Sequence, residues 1–169
     1  GSPNNIVNYL SGLDLVLHNG FDDQIGEQRG LKLGTLDAFD TFDKLVHAFK
    51  KQIDFTNGVL ARRHYIEHEV EAKHASFLFL SMLTDDCIER GRSIFDSGAR
   101  YRGGIIESFG LTNVSDSLYA IKDLVYDRKV MSLQQLVKIL DADFEGYERE
   151  RRRMLNLPKF GNDDERVDS

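Results

Sequence analysis

The sequence predicts a mainly helical segment that carries one or two short strands. Hydrophobic residues recur at the three- and four-residue spacing of an amphipathic helix through much of the chain, most clearly at Phe42, Leu45, Phe49 and Ile53. Recognisable helix-start signals precede several of these runs. With 41% hydrophobic and 30% charged residues among 169, the composition is that of an ordinary globular protein with enough chain to bury an apolar core.

We predict one partial domain over residues 1–169. Its five successive parts are a helix with a glycine-containing loop over 1–40, long helices over 41–92, a glycine-rich segment over 98–110, further helices over 113–156 and a polar tail over 157–169. The sequence shows no internal repeat and no low-complexity tract, so a repeat architecture is not expected.

The first part of the chain predicts a helix followed by a long loop. Apolar residues follow one helical stripe over 3–17, and Ser2 before Pro3 suits the cap and the first residue of a helix. Residues 18–40 contain four glycines among charged residues. A connecting loop of this length is expected to cross another part of the structure.

A long helix is predicted to begin at Asp40 or Thr41, either of which can cap it. Its apolar spacing continues as far as Val70, with Gly58 as a weak point. The pattern therefore leaves two possibilities open: one helix of about 30 residues, or two helices broken near Gly58.

The run Phe77–Leu83 is apolar on nearly every side of a helix, and we predict that it is buried throughout. A short helix is predicted to begin between residues 84 and 86, where carboxylates complement the helix dipole, and to end at Gly91. Cys87 lies beside the apolar run and is predicted to be a small core residue, not a nucleophile.

Three further helices are predicted after the glycine-rich segment. The first is capped by Asn113 or Ser115, the second begins at a capping box formed by Ser132 and Gln135, and the third covers 144–155 before a proline stops it. The predicted inner faces are Leu118, Ile121, Leu124 and Val125 in the first helix and Leu133, Leu136, Val137 and Leu140 in the second.

Charge and cysteine content argue against several classes of protein. The net charge of −6 disfavours a nucleic-acid-binding protein, which usually presents a basic face. No apolar run approaches the roughly 20 residues that a bilayer-spanning helix needs, so we expect no membrane contact and a cytoplasmic location. A single cysteine cannot form an internal disulfide or a multi-cysteine metal site, and it suits a reducing compartment.

One arc of the long helix contains potential metal ligands. His64, His68, Glu71 and His74 follow one another at helical spacing, and a His-x-x-x-His pair can chelate zinc. This arc lies opposite the apolar residues around Val70, which favours a solvated polar face. We therefore predict no metal ligands in this chain. The basic cluster over 149–153, interleaved with glutamates, is likewise predicted to be a charged helix surface.

Four stretches, in this order, carry a family resemblance. The first and third are similar to the patterns F-x-S/T-F-D/E-E-L…F-K-K-Q-L and G-L-x-x-V-x-D-S-L-x-A-I-K-x-L-V. The stretches are residues 40–45 with 49–53, residues 79–91, residues 98–101 with 110–124, and residues 144–148 with 158–164. Together they resemble the second half of glycyl radical enzymes of the pyruvate formate-lyase and glycerol dehydratase type, and they cover almost the whole chain.

The resemblance implies a fold and an activity for a larger parent protein. Enzymes of this kind have a ten-stranded β/α barrel, of which this chain resembles a part. The parent is expected to be a lyase, dehydratase or decarboxylase that acts on a small organic substrate by radical chemistry in anaerobic metabolism. The resemblance also implies a homodimer whose glycyl radical is installed by an S-adenosylmethionine iron–sulfur activating enzyme.

Two motifs of the family are missing from the sequence. The radical glycine lies in an Arg-Val-x-Gly-Tyr-like loop, whereas Arg166-Val167 is followed here by Asp168 and Ser169. The hydrogen-abstracting cysteine lies in a Gly-Cys-x-Glu-like loop, which does not surround Cys87. The chain is therefore expected to contain no catalytic or cofactor-binding residue and to be an inactive fragment on its own.

What the resemblance transfers is the lining of a substrate pocket. It implies that the segment after Gly98-Ala99-Arg100-Tyr101 enters the barrel near the substrate, so 98–110 is the predicted pocket-side segment. Tyr101, Arg102 and Ile106 are the predicted substrate-binding residues. The alternative for Tyr101 is that it packs in the barrel wall.

Two other functions remain open from the sequence. The first is a stand-alone helical interaction module that binds another protein through Phe77–Leu83 and the helix from Phe42 to Val70. The second, which the sequence favours least, is a small metal-binding protein that uses the histidine helix. In nature the fragment is expected to be bound to the rest of its parent enzyme. On its own it is expected to expose the surface that those missing parts would cover, and therefore to self-associate.

Overall fold

The computed structural model describes residues 5–101, 103 and 106–168, and it is mainly helical with short strands, as predicted. The α-helices are α1 (Tyr9–Leu17), α2 (Phe42–His74), α3 (Leu78–Met82), α4 (Cys87–Arg90), α5 (Leu111–Ile121), α6 (Leu133–Asp141), α7 (Glu148–Leu155) and α8 (Glu165–Asp168). The strands are β1 (Asn5–Asn8), β2 (Phe21–Asp22), β3 (Glu27–Gln28) and β4 (Ile106–Phe109). Shorter helical turns cover Leu36–Ala38, Ile94–Gly98 and Lys122–Asp127.

The backbone divides into two compact units. Unit 1 consists of Gly1–Val7 and Thr56–Glu107, and unit 2 consists of Asn8–Phe55 and Ser108–Ser169. The single partial domain over 1–169 stays a prediction. None of the described helices combines the length and the apolar character that crossing a bilayer requires.

The predicted helix over 3–17 is wrong at its start. Residues Asn5–Asn8 form β1, which pairs with β4, and its side chains alternate between buried and exposed. The helix begins at Tyr9 because the Asn8 Oδ1 atom accepts hydrogen bonds from the backbone N–H groups of Leu10 and Ser11, at 3.1 and 3.3 Å. Asparagine is among the strongest helix caps, so it overrides the apolar stripe. Ser2 and Pro3, the predicted cap and first residue, lie outside the described residues.

The loop after α1 crosses α2 at a buried amide. The loop contains the small antiparallel pair β2–β3. Gln52 of α2 is fully buried, and its Oε1 atom accepts a hydrogen bond from the Leu31 N–H group at 2.8 Å. A Cβ atom on Gly30 would lie 2.7 Å from the same oxygen, so a larger residue at this position would displace the buried amide. Since the amide accepts from the loop backbone, it can be buried without leaving that oxygen unpaired.

The long helix is continuous. α2 runs unbroken for 33 residues through Gly58, which decides between the two possibilities that the sequence left open. In its first half, Leu45, Phe49 and Ile53 are buried as predicted.

The faces of the second half of α2 are reversed from the prediction. Val59, Ile66 and Val70 are about half exposed, whereas His64 and His68 are partly buried. The Phe95 ring lies 5.9 Å from the His68 ring and so covers the histidine side. The polar arc is therefore not a fully solvated face.

The prediction that Phe77–Leu83 is buried on every side is also wrong. In this stretch Ser81 is buried, while Leu78, Phe79 and Leu83 each remain about 70% exposed. The predicted long helices do not continue to residue 92. Phe77 and Asp86 adopt left-handed backbone conformations, which interrupt the helical backbone before α3 and before α4. Gly91 ends α4, as predicted.

The helix predicted to begin at Asn113 or Ser115 begins earlier. Its cap is Gly110, whose φ of 71° suits glycine, and α5 starts at Leu111. The predicted inner face is confirmed at its three most buried positions, Ile121, Leu124 and Val125, and Leu118 is partly buried.

The capping box of α6 is confirmed. The Gln135 N–H group donates to the Ser132 Oγ atom at 3.1 Å, and the Ser132 N–H group donates to the Gln135 Oε1 atom at 2.8 Å. On the inner face Leu133, Leu136 and Val137 are buried, but Leu140 is 38% exposed and Ile139 is buried instead.

The last predicted helix is shorter than expected. α7 begins at Glu148 instead of residue 144, because Asp143, Phe144 and Gly146 all have positive φ angles. It ends at Leu155, before the proline that was predicted to stop it.

Unit 2 also contains a histidine surrounded by carboxylates. The His18 Nε2 atom lies 3.0 Å from an Asp141 carboxylate oxygen and 3.6 Å from one of Asp23. Its Nδ1 atom lies 3.0 Å from the backbone carbonyl oxygen of Asp14 and 3.3 Å from the carboxylate of that residue. The imidazole thus links the end of α1 to the end of α6.

Candidate functional site

A buried serine in unit 1 positions the chain that leads to the predicted pocket-side segment. The Ser81 Oγ atom donates to the Ser76 carbonyl oxygen at 2.9 Å and accepts from the Ile94 N–H group at 3.0 Å. Because Ser81 is buried, both bonds are protected from competition with water. They fix the start of the turn Ile94–Gly98 beside α3.

Gly98 ends this turn in a place that admits no side chain. It is buried, and a Cβ atom there would lie 2.3 Å from the carbonyl oxygen of Arg92 and 2.6 Å from that of Ser93. Both neighbours are backbone atoms, which cannot swing away as the end of a flexible side chain would. The glycine that begins the Gly-Ala-Arg-Tyr stretch is therefore required by close backbone approach.

Asp86 joins two of the stretches that carry the family resemblance. The Arg100 guanidinium donates from Nε and Nη2 to the two carboxylate oxygens of Asp86, both at 2.7 Å. Arg90 donates to the same carboxylate at 3.2 Å. A two-point contact between guanidinium and carboxylate fixes orientation as well as distance. We call Asp86, Arg90 and Arg100 the Asp86 clamp.

The clamp also binds two backbone carbonyl groups and lowers the pKa of the Asp86 carboxylate. The second amino group of Arg90 donates to the carbonyl oxygens of Ser97 and Gly98, at 3.4 and 3.3 Å. The hydrogen bond from Arg100 lowers the pKa of Asp86 below its usual value; partial desolvation opposes this, and the charges of Arg100 and Arg90 add to it. Asp86 therefore stays ionised to a lower pH than an ordinary aspartate does, and the clamp persists with it.

The clamp presents Tyr101 at the surface of unit 1. Tyr101 directly follows Arg100 and is 88% exposed. Ile106 opens β4 and is 49% exposed, and Arg102 lies outside the described residues. A cavity of about 520 Å³ in unit 1 is lined by Gly103 but by neither Tyr101 nor Ile106. The three substrate-binding residues stay predictions.

The Asp86 clamp is the part of this site that the sequence analysis missed. Asp86 was interpreted as a helix-start carboxylate, but its own left-handed conformation places it before α4 without a side-chain capping bond. Fourteen residues and several irregular turns separate it from Arg100. The one available signal was the presence of an aspartate and an arginine within two neighbouring family-like stretches.

The other chemistry-bearing residues belong to other elements of the chain. Cys87 is buried at the start of α4. Arg166 and Val167 lie in α8, where Arg166 pairs with Asp164 and Val167 is buried. In the parts of the chain that the structure describes, no group of three or more histidine, cysteine, aspartate or glutamate side chains is placed to hold a metal ion.

Relatives with known names match nearly the whole chain. Trans-4-hydroxy-L-proline dehydratase of Clostridioides difficile is 38% identical over 161 residues, which are 92% of this chain and 20% of that protein. Isethionate sulfite-lyase of Desulfovibrio desulfuricans is 32% identical over 168 residues, 96% of this chain and 20% of that protein. The chain thus spans about a fifth of the length of these relatives.

Solved structures agree in fold. The substrate-bound hydroxyproline dehydratase of Clostridioides difficile superposes with a TM-score of 0.90 at 36% identity, over 96% of this chain and 21% of that one. The glycerol-bound, B12-independent glycerol dehydratase of Clostridium butyricum gives 0.87 at 32% identity, over 96% and 20%. A glycyl radical enzyme of Archaeoglobus fulgidus gives 0.84 at 27% identity, over the same shares.

The family assignment rests on the match to the whole sequence. The sequence model of the pyruvate formate lyase-like family covers residues 2–169. It agrees with the four resembling stretches, two of which the Asp86 clamp brings together. The chain belongs to the pyruvate formate lyase-like family, whose relatives here are glycyl radical dehydratases and lyases.

Proposed function

We propose that this chain is a wall segment of a glycyl radical lyase or dehydratase and that it presents Tyr101 to a small organic substrate. The observation that carries the proposal is the Asp86 clamp, which fixes the backbone immediately before an exposed tyrosine. A phenol can both donate and accept a hydrogen bond, so Tyr101 suits a polar group on the substrate. Arg102 and Ile106 are proposed to line the same pocket.

The relatives narrow the class of substrate. Their names specify trans-4-hydroxy-L-proline, isethionate and glycerol as the molecules on which they act or which they bind. All three are small and carry a hydroxyl group. We therefore propose a hydroxylated small organic molecule from which the complete enzyme removes a group by radical chemistry.

On its own the chain is proposed to be inactive. Radical storage and hydrogen abstraction need a glycine loop and a cysteine loop that the sequence does not contain. The complete enzyme is proposed to be a cytoplasmic homodimer that contacts no membrane or nucleic acid and receives its radical from an S-adenosylmethionine iron–sulfur activating enzyme. The exposed run Phe77–Leu83 is proposed to be covered by the rest of the enzyme.

The test uses the complete enzyme, activated without oxygen, and measures turnover of the three molecules named above. Tyr101→Phe is expected to lower kcat/KM about tenfold or more, because the loss of one hydroxyl leaves a polar substrate group unpaired. Tyr147→Phe, in unit 2, is the matched control and is expected to leave kcat/KM unchanged. An unchanged rate in Tyr101→Phe would remove the proposed substrate contact. Activated turnover or a radical signal from the 169-residue chain alone would contradict its inactivity.

The exposed apolar run Phe77–Leu83 favours a second candidate function, that of a protein-interaction module. A stand-alone interaction module would use Phe77–Leu83 to bind another protein, since large exposed apolar patches usually mark interfaces. Sedimentation separates the two possibilities. A wall segment is expected to self-associate through this run, and replacing Leu78 and Phe79 by serine is expected to restore the monomer. A wild-type chain that stays a monomer would favour the module.

A further inference from the structure

We propose that His64 and His68 form an open two-histidine site for a late first-row divalent metal ion such as Zn²⁺ or Ni²⁺. The two residues are one helical turn apart on α2, and their Nε2 atoms lie 2.7 Å from each other. The ring centroids are 4.1 Å apart, with the ring planes at 87°. The two Nε2 atoms are therefore immediate neighbours on one side of the helix. The inference is independent of the proposed radical chemistry.

The separation is close to what a chelate needs. Zn–N bonds of about 2.0–2.1 Å at a tetrahedral angle place two ligand nitrogens roughly 3.3 Å apart. The imidazoles need to separate by about half an ångström, which small side-chain rotations supply. In the metal-free protein, 2.7 Å is a hydrogen-bond distance, so one Nε2 carries the shared proton. When both Nε2 atoms bind an ion, each neutral ring carries its one proton on Nδ1, so the shared proton moves to the other nitrogen of its own ring.

A carboxylate lies behind one of the two ligands. The Glu71 Oε2 atom is 3.6 Å from the His68 Nδ1 atom, the ring nitrogen that points away from His64. In many metalloproteins a carboxylate orients a metal-binding histidine from this side of the ring; at 3.6 Å the Glu71 carboxylate acts here as a nearby negative charge and not as a hydrogen-bond acceptor. It favours a proton on Nδ1 of His68, which leaves the Nε2 lone pair directed toward the site.

Aromatic packing limits the freedom of the histidine side. The Phe95 ring lies 5.9 Å from the His68 ring, and the Phe77 ring lies 5.3 Å from Phe95. The Nδ1 atom of His64 is buried and has no hydrogen-bond partner in the described part of the chain. A pair of imidazoles already held in contact loses little conformational freedom when it binds an ion.

The pair opens onto a cavity that suits a cation. The cavity of about 520 Å³ in unit 1 is lined by both histidines and by Tyr65, Glu69 and Asp96. Its two carboxylates attract positive charge. No third histidine, cysteine or carboxylate completes a set of ligands among the described residues. The site is thus a two-ligand chelate whose remaining positions face the cavity and accept water or a small coordinating molecule.

The experiment is a metal titration of the purified 169-residue chain by calorimetry, with Zn²⁺, Ni²⁺ and Mn²⁺. One saturable site is expected, with Mn²⁺ the weakest of the three, as nitrogen ligands dictate. His64→Gln and His68→Gln are each expected to weaken Zn²⁺ binding at least tenfold. His74→Gln and His47→Gln, exposed on the same helix, are the matched controls and are expected to bind as the wild type does.

Two further measurements distinguish a folding defect from the loss of a metal ligand. Circular dichroism of each variant must match the wild type, and Co²⁺ is expected to give a visible absorption spectrum that both histidine variants lose. Glu71→Gln, which keeps both ligands, is expected to weaken Zn²⁺ binding about tenfold. Absence of saturable binding to the folded wild type, or binding that survives in both His64→Gln and His68→Gln, overturns the inference.

Discussion

Units 1 and 2 differ in the interactions that stabilise each of them internally. Nearly all the buried hydrophobic side chains among the described residues belong to unit 2, among them Leu45 and Leu124, which are fully buried. In unit 1 the buried hydrophobic side chains of the described chain are Val7 and Cys87, while Leu78 and Phe79 are exposed. Unit 1 relies instead on polar links such as the Asp86 clamp. Unit 2 has a core of its own, and unit 1 is shaped mainly by directional contacts.

The sharpest way to break this comparison is to remove one leucine from each unit. Leu124→Ala in unit 2 is expected to lower the free energy of unfolding by about 2–5 kcal/mol, because it leaves a cavity in packed surroundings. Leu78→Ala, in unit 1, removes the same atoms from a side chain that is 71% exposed, and is expected to change it by less than about 0.5 kcal/mol.

Urea unfolding followed by circular dichroism measures both changes. An equal loss in the two variants would mean that unit 1 also depends on apolar burial, and the distinction between the units would fail.

A smaller and more local effect is expected at the clamp. Asp86→Asn removes the charge that holds Arg90 and Arg100, so the backbone of residues 94–101 is expected to open more often. Hydrogen exchange of that segment should become several-fold faster, with exchange in α6 unchanged. Asp85→Asn is the matched control, since Asp85 is the exposed neighbour. Equal exchange in both variants would show that the turn Ile94–Gly98 is held by Ser81 and not by the clamp.

The sequence predicted the features that depend on residues close to one another along the chain. The capping box of Ser132 and Gln135 and the buried spacing of Phe49 and Ile53 depend on residues within one or two turns, and both were predicted correctly. Strand β1 needs its partner β4, about a hundred residues later, so the local apolar stripe indicated a helix instead.

The site shows the same limit. The family resemblance identified the segment that contains Tyr101, but not what holds it, because Asp86 reaches Arg100 only after several irregular turns. The exposed face of α2 was misjudged for a related reason: periodicity separates an apolar face from a polar one without saying which of them another segment covers. Phe95 covers the histidine side, and this contact has no local signal.

The smallest expected effect is a pH dependence confined to unit 2. Burial lowers the pKa of His18, but hydrogen bonds from the ring to the Asp141 carboxylate and the Asp14 carbonyl group, together with the charges of both residues, more than compensate, so its pKa is raised above 6.5. The charged imidazole therefore stabilises the fold fully below pH 6.5, and this contribution is lost as the pH rises through the higher folded-state pKa. His18→Gln is expected to flatten the fall in unfolding free energy over this range, whereas His47→Gln, exposed on α2, should keep it. Urea unfolding at several pH values on either side of neutrality measures the slope. In His18→Gln the imidazole that Asp14, Asp23 and Asp141 surround is gone. If the unfolding free energy of this variant still falls with pH as in the wild type, the pH dependence belongs to other groups.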